Sequence, residues 1–328
     1  MNNASIRYMA LAVMLLAAWM AVHWPPVGNY VESWRPADTT AMKKERDKLY
    51  ETIVKQAKQY EIPAQDAVID KVWKATPGYN GLAVDIDASY QNMKKTGTFD
   101  ERKLVFRQVP PRVHLDDLPP APIYRGHPDK PMVALTVNVA WGEEYLPDML
   151  ETLKKHQVKA TFFLEGQWVK KHPEMAKMIA DAGHEIGNHS YSHPDLKTLS
   201  NERIRHELQK ANEVIEAATA VQCKWFAPPS GSYRDEVVEI ASELGMKTIL
   251  WSVDTIDWQK PAPSVIVKRV ASNIHPGAIV LMHPTMPTAA ALDELIVSIK
   301  RQGYALGSLT ALFDEKRLAN KQEEHGVD

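Results

Sequence analysis

Cysteine is nearly absent from this chain: Cys223 is the only one in 328 residues. No intrachain disulfide can form, and no second thiolate exists for a structural zinc site. Any metal would have to rest on His, Asp, Glu or Asn. An excess of charge is missing too, with 39 Lys and Arg against 41 Asp and Glu and a formal net charge of -2. Without a basic field nothing favours a phosphate backbone, which argues against nucleic acid as a partner. No internal repeat is found. What is present is 45% hydrophobic and 24% charged residues, a balance suited to one domain of about 200 residues and a smaller companion.

The N-terminus carries an uncharged run from Tyr8 to Trp24, preceded by Arg7 and ended by Pro25 and Pro26. It is near the lower spanning limit of about 17 residues and lacks a complete Ala-x-Ala cleavage site, so residues 1–26 are expected to be a signal-anchor in preference to a cleaved signal peptide. Residues 6–24 would then meet the membrane, with Trp19 and Trp24 at its interface and the rest on the extracytoplasmic face. Residues 39–113 read as a small α+β module. Thr39 or Thr40 would cap a helix carrying Leu49, Ile53, Ala57 and Tyr60, and a second short helix is expected after Pro63, broken by Pro77-Gly78. A strand near 81–84, a helix near 89–95 and a strand near 103–109 complete it. The stretch 114–131 is proline-rich and expected to be an extended, semi-rigid linker. The final residues, 320–328, read as a polar tail.

From residue 132 to 319, seven short apolar runs alternate with amphipathic stretches: MVALTVNVA, KATFFL, HEIGNH, KWFAPP, KTILWSVD, AIVLMH and YALGSL. Near-continuous apolar strands with helical crossovers predict a parallel sheet covered on both faces, open or rolled into a barrel. Barrels gather functional residues at the C-terminal ends of their strands. Asn138, His189, Asp254, Asp257 and His283 all fall at such ends.

The segment HSYSH, residues 189–193, could set His189 and His193 on one metal if it turned helically. Twelve histidines in 328 residues would give roughly 0.4 pairs at this spacing by chance, so the pair alone decides little. Four other segments supply context: TVNVAWG (136–142), APPSG (227–231), WSVDTIDW (251–258) and IVLMH (279–283). With HSYSHPDL, and in this order, they resemble the motifs of the polysaccharide deacetylases of the NodB-homology type, carbohydrate esterase family four. The overall layout resembles the membrane-anchored branch of spore-forming Gram-positive bacteria. The fold implied is a distorted (β/α)7 barrel. The resemblance also implies hydrolysis of acetamido groups on N-acetylated cell-wall or spore-wall glycan such as peptidoglycan, with a divalent, zinc-like metal on an Asp and two histidines. By that resemblance His189 and His193 are metal ligands. His283 is the acid that protonates the leaving amine, Asp257 orients it, and Trp141, Pro228, Pro229, Ser230 and Trp258 line the substrate cleft.

Departures from the family pattern carry equal weight. Asn138 stands where the base aspartate is expected, Val139 where the metal carboxylate is expected, and Ala227 where an arginine would pair with the base. An amide is far too poor a base to take a proton from water. Loss of base and arginine together avoids leaving one buried charge unpaired. Two imidazoles without a carboxylate predict weak or absent metal binding. Glu143 or Glu144 could replace the missing carboxylate, although acidic residues at a helix start are common without any such role. Asp254 reads as a group behind the site or as a turn cap. Three readings follow: a divergent metal-dependent deacetylase, a catalytically inactive deacetylase-fold protein that binds or scaffolds envelope glycan, or a chain whose function lies in residues 39–113.

Overall fold

The computed structural model describes residues 47–318, together with Met14. Apart from Met14, the expected anchor lies outside these residues, as do the Thr39 or Thr40 cap and the polar tail. No helix among the described residues is long and apolar enough to cross a membrane.

The described chain divides into two compact units. The smaller takes in residues up to 59 and 84–105. Its helices are α1 (Lys48–Ala57) and α2 (Ile86–Lys94). Asp47 caps the first, accepting from Leu49 N at 2.6 Å, and Asp85 caps the second, accepting from Ala88 N at 2.9 Å. Each cap answers a backbone donor that the first helical turn leaves open. Leu49 and Ile53 on α1 pack with Tyr90 and Met93 on α2, and the Tyr90 hydroxyl donates to Asp47 at 2.8 Å.

The larger unit comprises residues 60–83 and 106 onward, so residues of the 39–113 segment occur in both units. No helix follows Pro63. Strands β1 (Val68–Asp70) and β2 (Lys74–Thr76) form an antiparallel hairpin there, with Lys74 at φ 59°. The apolar spacing after Pro63 is thus satisfied by pairing across a turn. β3 (Gly81–Val84) and β4 (Phe106–Val109) form a second two-stranded sheet.

The remainder is an eight-stranded, curled parallel sheet wrapped by helices. Its strands are β5 (Met132–Val139), β6 (Thr161–Leu164), β7 (Glu185–Asn188), β8 (Trp225–Phe226), β9 (Lys247–Thr248), β10 (Val253–Asp254), β11 (Ile279–Met282) and β12 (Ala305–Gly307). They are ordered β10-β11-β5-β6-β7-β8-β9, with β12 also on β5. The run KTILWSVD, expected as one strand, forms β9 and β10 as separate two-residue strands at opposite ends of this order. Between them the sheet is open. Residues 123–126, within the proline-rich stretch, bond to the chain along this seam. Ile123 N donates to Thr248 O at 2.9 Å, Leu250 N to Ile123 O at 2.8 Å, and Gly126 N to Gly277 O at 2.7 Å. A side chain at Gly277 would strike the carbonyl oxygens of Gly126 and His127, and its φ of 78° also favours glycine.

Every residue of β5 is buried, as a strand covered on both faces requires. Val133, Leu135, Val137 and Val139 join one apolar cluster, which includes residues from α3 (Leu146–Lys155) and from α9 (Met286–Arg301), whereas Met132 and Ala134 join another. The period of two therefore separates Asn138 from the valine beside it. Between α3 and α9 along the chain run α4 (Gly166–Lys171), α5 (Pro173–Asp181), α6 (Asn201–Thr219), α7 (Asp235–Glu243) and α8 (Pro263–Asn273), and α10 (Leu309–Phe313) ends the series.

Candidate functional site

A cleft of about 440 Å³ opens at the C-terminal ends of the parallel strands. Asn138, Trp141, His189, His193 and Ser230 line it, with Trp258 and His283. Seven of the residues singled out from the sequence thus converge. Asp254 also lines it, and its Oδ1 accepts from Ile256 N at 2.8 Å, so it is both a turn cap and a cleft residue. Asp257 lies behind His283. Pro229 lines a smaller neighbouring cavity with His193 and Ser230, and Pro228 lines neither. Trp251 lines the cleft and was missed from sequence because it falls inside what reads as a strand.

His189 directly follows β7 and is 1% exposed. Its Nδ1 is 2.8 Å from the Ala227 carbonyl oxygen, so Nδ1 carries the proton and donates, leaving the Nε2 lone pair unprotonated. Burial, then the neighbouring His193, pushes its pKa down to about 3. His193 is also held below the usual histidine range, chiefly by burial. The two rings meet edge to face, with centroids 5.0 Å apart.

No helical turn brings them together. Residues 189–193 form a loop in which Ser190 and His193 adopt left-handed conformations at φ 63° and 56°. Side chains hold it. Asn188 Oδ1 accepts from Ser190 N at 2.8 Å, and Ser190 Oγ accepts from His193 N at 3.1 Å. Glu207, buried on α6, accepts from Tyr191 N, Ser192 N and the Ser192 hydroxyl at 2.8–3.1 Å. Asn188 Nδ2 in turn donates to Leu208 O and Asn212 Oδ1 at 2.9 and 2.7 Å. Sequence reading missed Asn188, Glu207 and Asn212. The available signal was Glu207 sharing a helical face with the apolar Ile204, Leu208 and Ala211.

Asp257 is fully buried and paired on both oxygens. Oδ1 is 2.8 Å from His283 Nδ1, while Oδ2 accepts from His283 N and from the Thr288 hydroxyl, each at 2.6 Å. His283 directly follows β11, and Thr288 lies in the first turn of α9. The Trp141 ring lies parallel to the His283 ring, centroids 6.0 Å apart. Gly142, at φ 81°, permits this approach, since a Cβ there would stand 2.0 Å from the Pro284 carbonyl oxygen. Trp141 and Trp258 are 46% and 56% exposed at the rim.

The β5 side of the cleft is different. Asn138 is 5% exposed, and its Oδ1 is buried without a hydrogen-bond partner. Val139 is fully buried in the apolar cluster that includes α3 and α9 residues, and Ala227 presents only a methyl group. Glu143 does not fill the gap. Its carboxylate is 3.7 Å from His172 Nε2, in a different cavity, and Glu144 is exposed. No group of three or more His, Cys, Asp or Glu among the described residues could hold a metal ion. Two imidazoles and an amide oxygen fall short of the three-ligand set of catalytic zinc, so these residues do not fit such a metal.

A curled parallel sheet, a strand-end cleft with paired histidines and a buried Asp-His pair are the features of a NodB-type deacetylase fold. The chain belongs to the polysaccharide deacetylase family, whose sequence profile matches residues 125–249. It is 59% identical over 315 residues, 95% of this chain and 98% of the relative, to YlxY of Bacillus subtilis strain 168. It is 36% identical over 200 residues, 60% of this chain and 76% of the relative, to the peptidoglycan-N-acetylmuramic acid deacetylase PdaA of the same organism. Among solved structures, wild-type BA3943, a CE4 family pseudoenzyme from Bacillus anthracis, is 64% identical with a TM-score of 0.77, covering 82% of this chain and 96% of that one.

Proposed function

We propose that this chain is a catalytically silent deacetylase-fold protein that binds N-acetylated envelope glycan in the cleft beside Trp141, Trp258 and His283. One observation carries the reading: the end of β5 offers the unpartnered amide oxygen of Asn138 and the buried side chain of Val139 where a base and a metal carboxylate would be needed. Amide hydrolysis requires a group that removes a proton from water. Nothing at that strand end can. The likeness to the Bacillus anthracis pseudoenzyme supports this reading, and a mutant of that protein is described as having restored enzymatic activity.

On this reading Trp141 and Trp258 offer ring faces to the sugars, Ser230 and His283 hydrogen-bond to them, and the Asp257 carboxylate fixes His283. His189 and His193 are what remains of a metal site, and any divalent cation there binds weakly. Peptidoglycan is the glycan the relatives' names point to. Location outside the cytoplasmic membrane follows from that substrate, and residues 6–24 would supply the anchor. The intact Asp257-His283 pair favours the alternative, a divergent hydrolase. Acetate release from N-acetylglucosamine oligomers and peptidoglycan, measured alongside metal content, separates the two. We expect none from the natural chain and activity from an Asn138→Asp, Val139→Asp, Ala227→Arg variant, a gain of at least about 100-fold over background. Release by the natural chain that His189→Ala abolishes would overturn the silent reading.

A further inference from the structure

The β1-β2 hairpin takes no part in the cleft, and its outer surface is strongly apolar. Val68 and Ile69 on β1 are 50% and 45% exposed, and Val72 in the turn is 71% exposed, the most of any large hydrophobic side chain among the described residues. Successive strand residues point to opposite faces, so the exposure of both Val68 and Ile69 leaves β1 uncovered on either side. β2 is the inner strand. Ala75 and Thr76, opposite Ile69 and Val68, are buried, and Ala75 N donates to Pro122 O at 3.1 Å. The hairpin is thus a ridge held along β2, with an aliphatic outer strand and turn.

The charges around the turn are answered unequally. Asp66 Oδ1 accepts from Arg112 N and Val113 N at 2.6 and 3.2 Å, and Asp70 Oδ1 accepts from Val72 N and Trp73 N, each at 2.7 Å, with Arg125 also favouring its ionised form. Exposed Lys71 and half-buried Lys74 have no ion-pair partner among the described residues. An aliphatic ridge with free lysines at its tip matches a bilayer surface, where aliphatic side chains enter between headgroups and ammonium groups meet lipid phosphates. A protein partner would more often be met by an exposed aromatic anchor. The aromatic residue of this turn, Trp73, is instead half-buried beneath Arg125, whose guanidinium carbon is 4.7 Å from the ring centroid. Chain order agrees: the uncharged run expected to meet the membrane ends at Trp24, and β1 is the first strand of the described residues after it.

We propose that the β1-β2 hairpin rests on the membrane surface, with Val68, Ile69 and Val72 at headgroup level and Lys71 and Lys74 on the phosphates of anionic lipid. The inference rests on the anchor reading of residues 6–24, which brings the hairpin to the bilayer. In its sheet β1 pairs with β2 alone, so its outer backbone groups hold the contact to the hydrated headgroup layer and out of the hydrocarbon. A second attachment of this kind would restrict the tumbling of the larger unit on its tether.

The full chain in vesicles tests this. An environment-sensitive fluorophore is attached at Val72→Cys and, as a control at another exposed apolar position, at Met178→Cys on α5; Cys223 is buried and does not compete. Vesicles of phosphatidylcholine, with or without phosphatidylglycerol, carry a quencher at headgroup depth. With the anionic lipid, emission at position 72 is expected to shift to the blue and to be quenched, while emission at 178 stays that of a label in water. Lys71→Gln, Lys74→Gln should lower the ratio of inserted to withdrawn hairpin at least about tenfold. Vesicle-bound chain whose label at 72 stays in water would overturn the hairpin contact while the anchor reading stands. So would a blue shift without quenching, accompanied by disulfide-linked dimers of unlabelled Val72→Cys, which would assign the ridge to a second copy of the chain. Equal insertion with and without phosphatidylglycerol would overturn the role of the two lysines. Failure of the full chain to bind either vesicle would overturn both readings.

Discussion

Asp257 and Asn138 stand two strands apart at the same rim, both more than nine-tenths buried, and the fold treats them differently. Three donors converge on the Asp257 carboxylate, from the His283 ring, the His283 backbone and Thr288. None reaches the Asn138 carbonyl oxygen. A buried charge cannot be left unpaired without a cost of several kcal/mol, whereas a neutral amide oxygen costs much less. The difference indicates how a charged site can be dismantled. On the proposed reading Asn138 and Ala227 stand where a base aspartate and its arginine would pair, and with both neutral neither leaves a stranded charge. The Asp257 side has no such route, because removing one member strands the others.

That contrast can be broken at several points. Asp257→Ala should have the largest effect, lowering unfolding free energy by about 3–5 kcal/mol in urea melts, because three buried donors lose their acceptor. A loss below about 1 kcal/mol would mean the carboxylate network is not structural. The histidine pair gives an intermediate effect through pH. His189 titrates near 6.5 when unfolded and about 3 when folded, so between those values the unfolded chain holds the extra proton. Its contribution is complete above pH 6.5 and drains as pH falls toward 3, by about 2 kcal/mol between pH 6.5 and 5. His193 shifts in the same direction. Urea midpoints for His189→Gln should depend less steeply on pH over that window, and an unchanged slope would count against its burial. Asn138→Leu should have the smallest effect, within about 1 kcal/mol of the natural chain, since it removes an oxygen that nothing answers. A larger loss would reveal a partner for that amide.

Strand positions were legible in the sequence because most strands of the sheet fall within short apolar runs that alternate with amphipathic stretches. The exception, KTILWSVD, contains nothing local that separates β9 from β10. Their division is set by pairing with β8 on one side and β11 on the other, which is a property of the whole sheet. At the site, His189, His193, Asp257 and His283 were legible because motif order tied them together. The shape of the 189–193 loop was not. Spacing i, i+4 suggested a helical turn, and the left-handed residues that replace it depend on Asn188 and on Glu207, fourteen residues beyond His193. Thr288 was invisible for the same reason: its hydroxyl matters only because α9 begins against the Asp257 loop.

The seam between β9 and β10 has a practical consequence for dissecting the molecule. The prolines up to Pro131 invite a cut there, yet Ile123 and Gly126 are the stitches that hold the sheet's open edge. A fragment starting at Pro131 would lose the partners of the Thr248 and Gly277 carbonyls and of the Leu250 N-H. An expression boundary placed upstream of residue 122 keeps them. The connecting segment is thus part of what a minimal folding unit must contain.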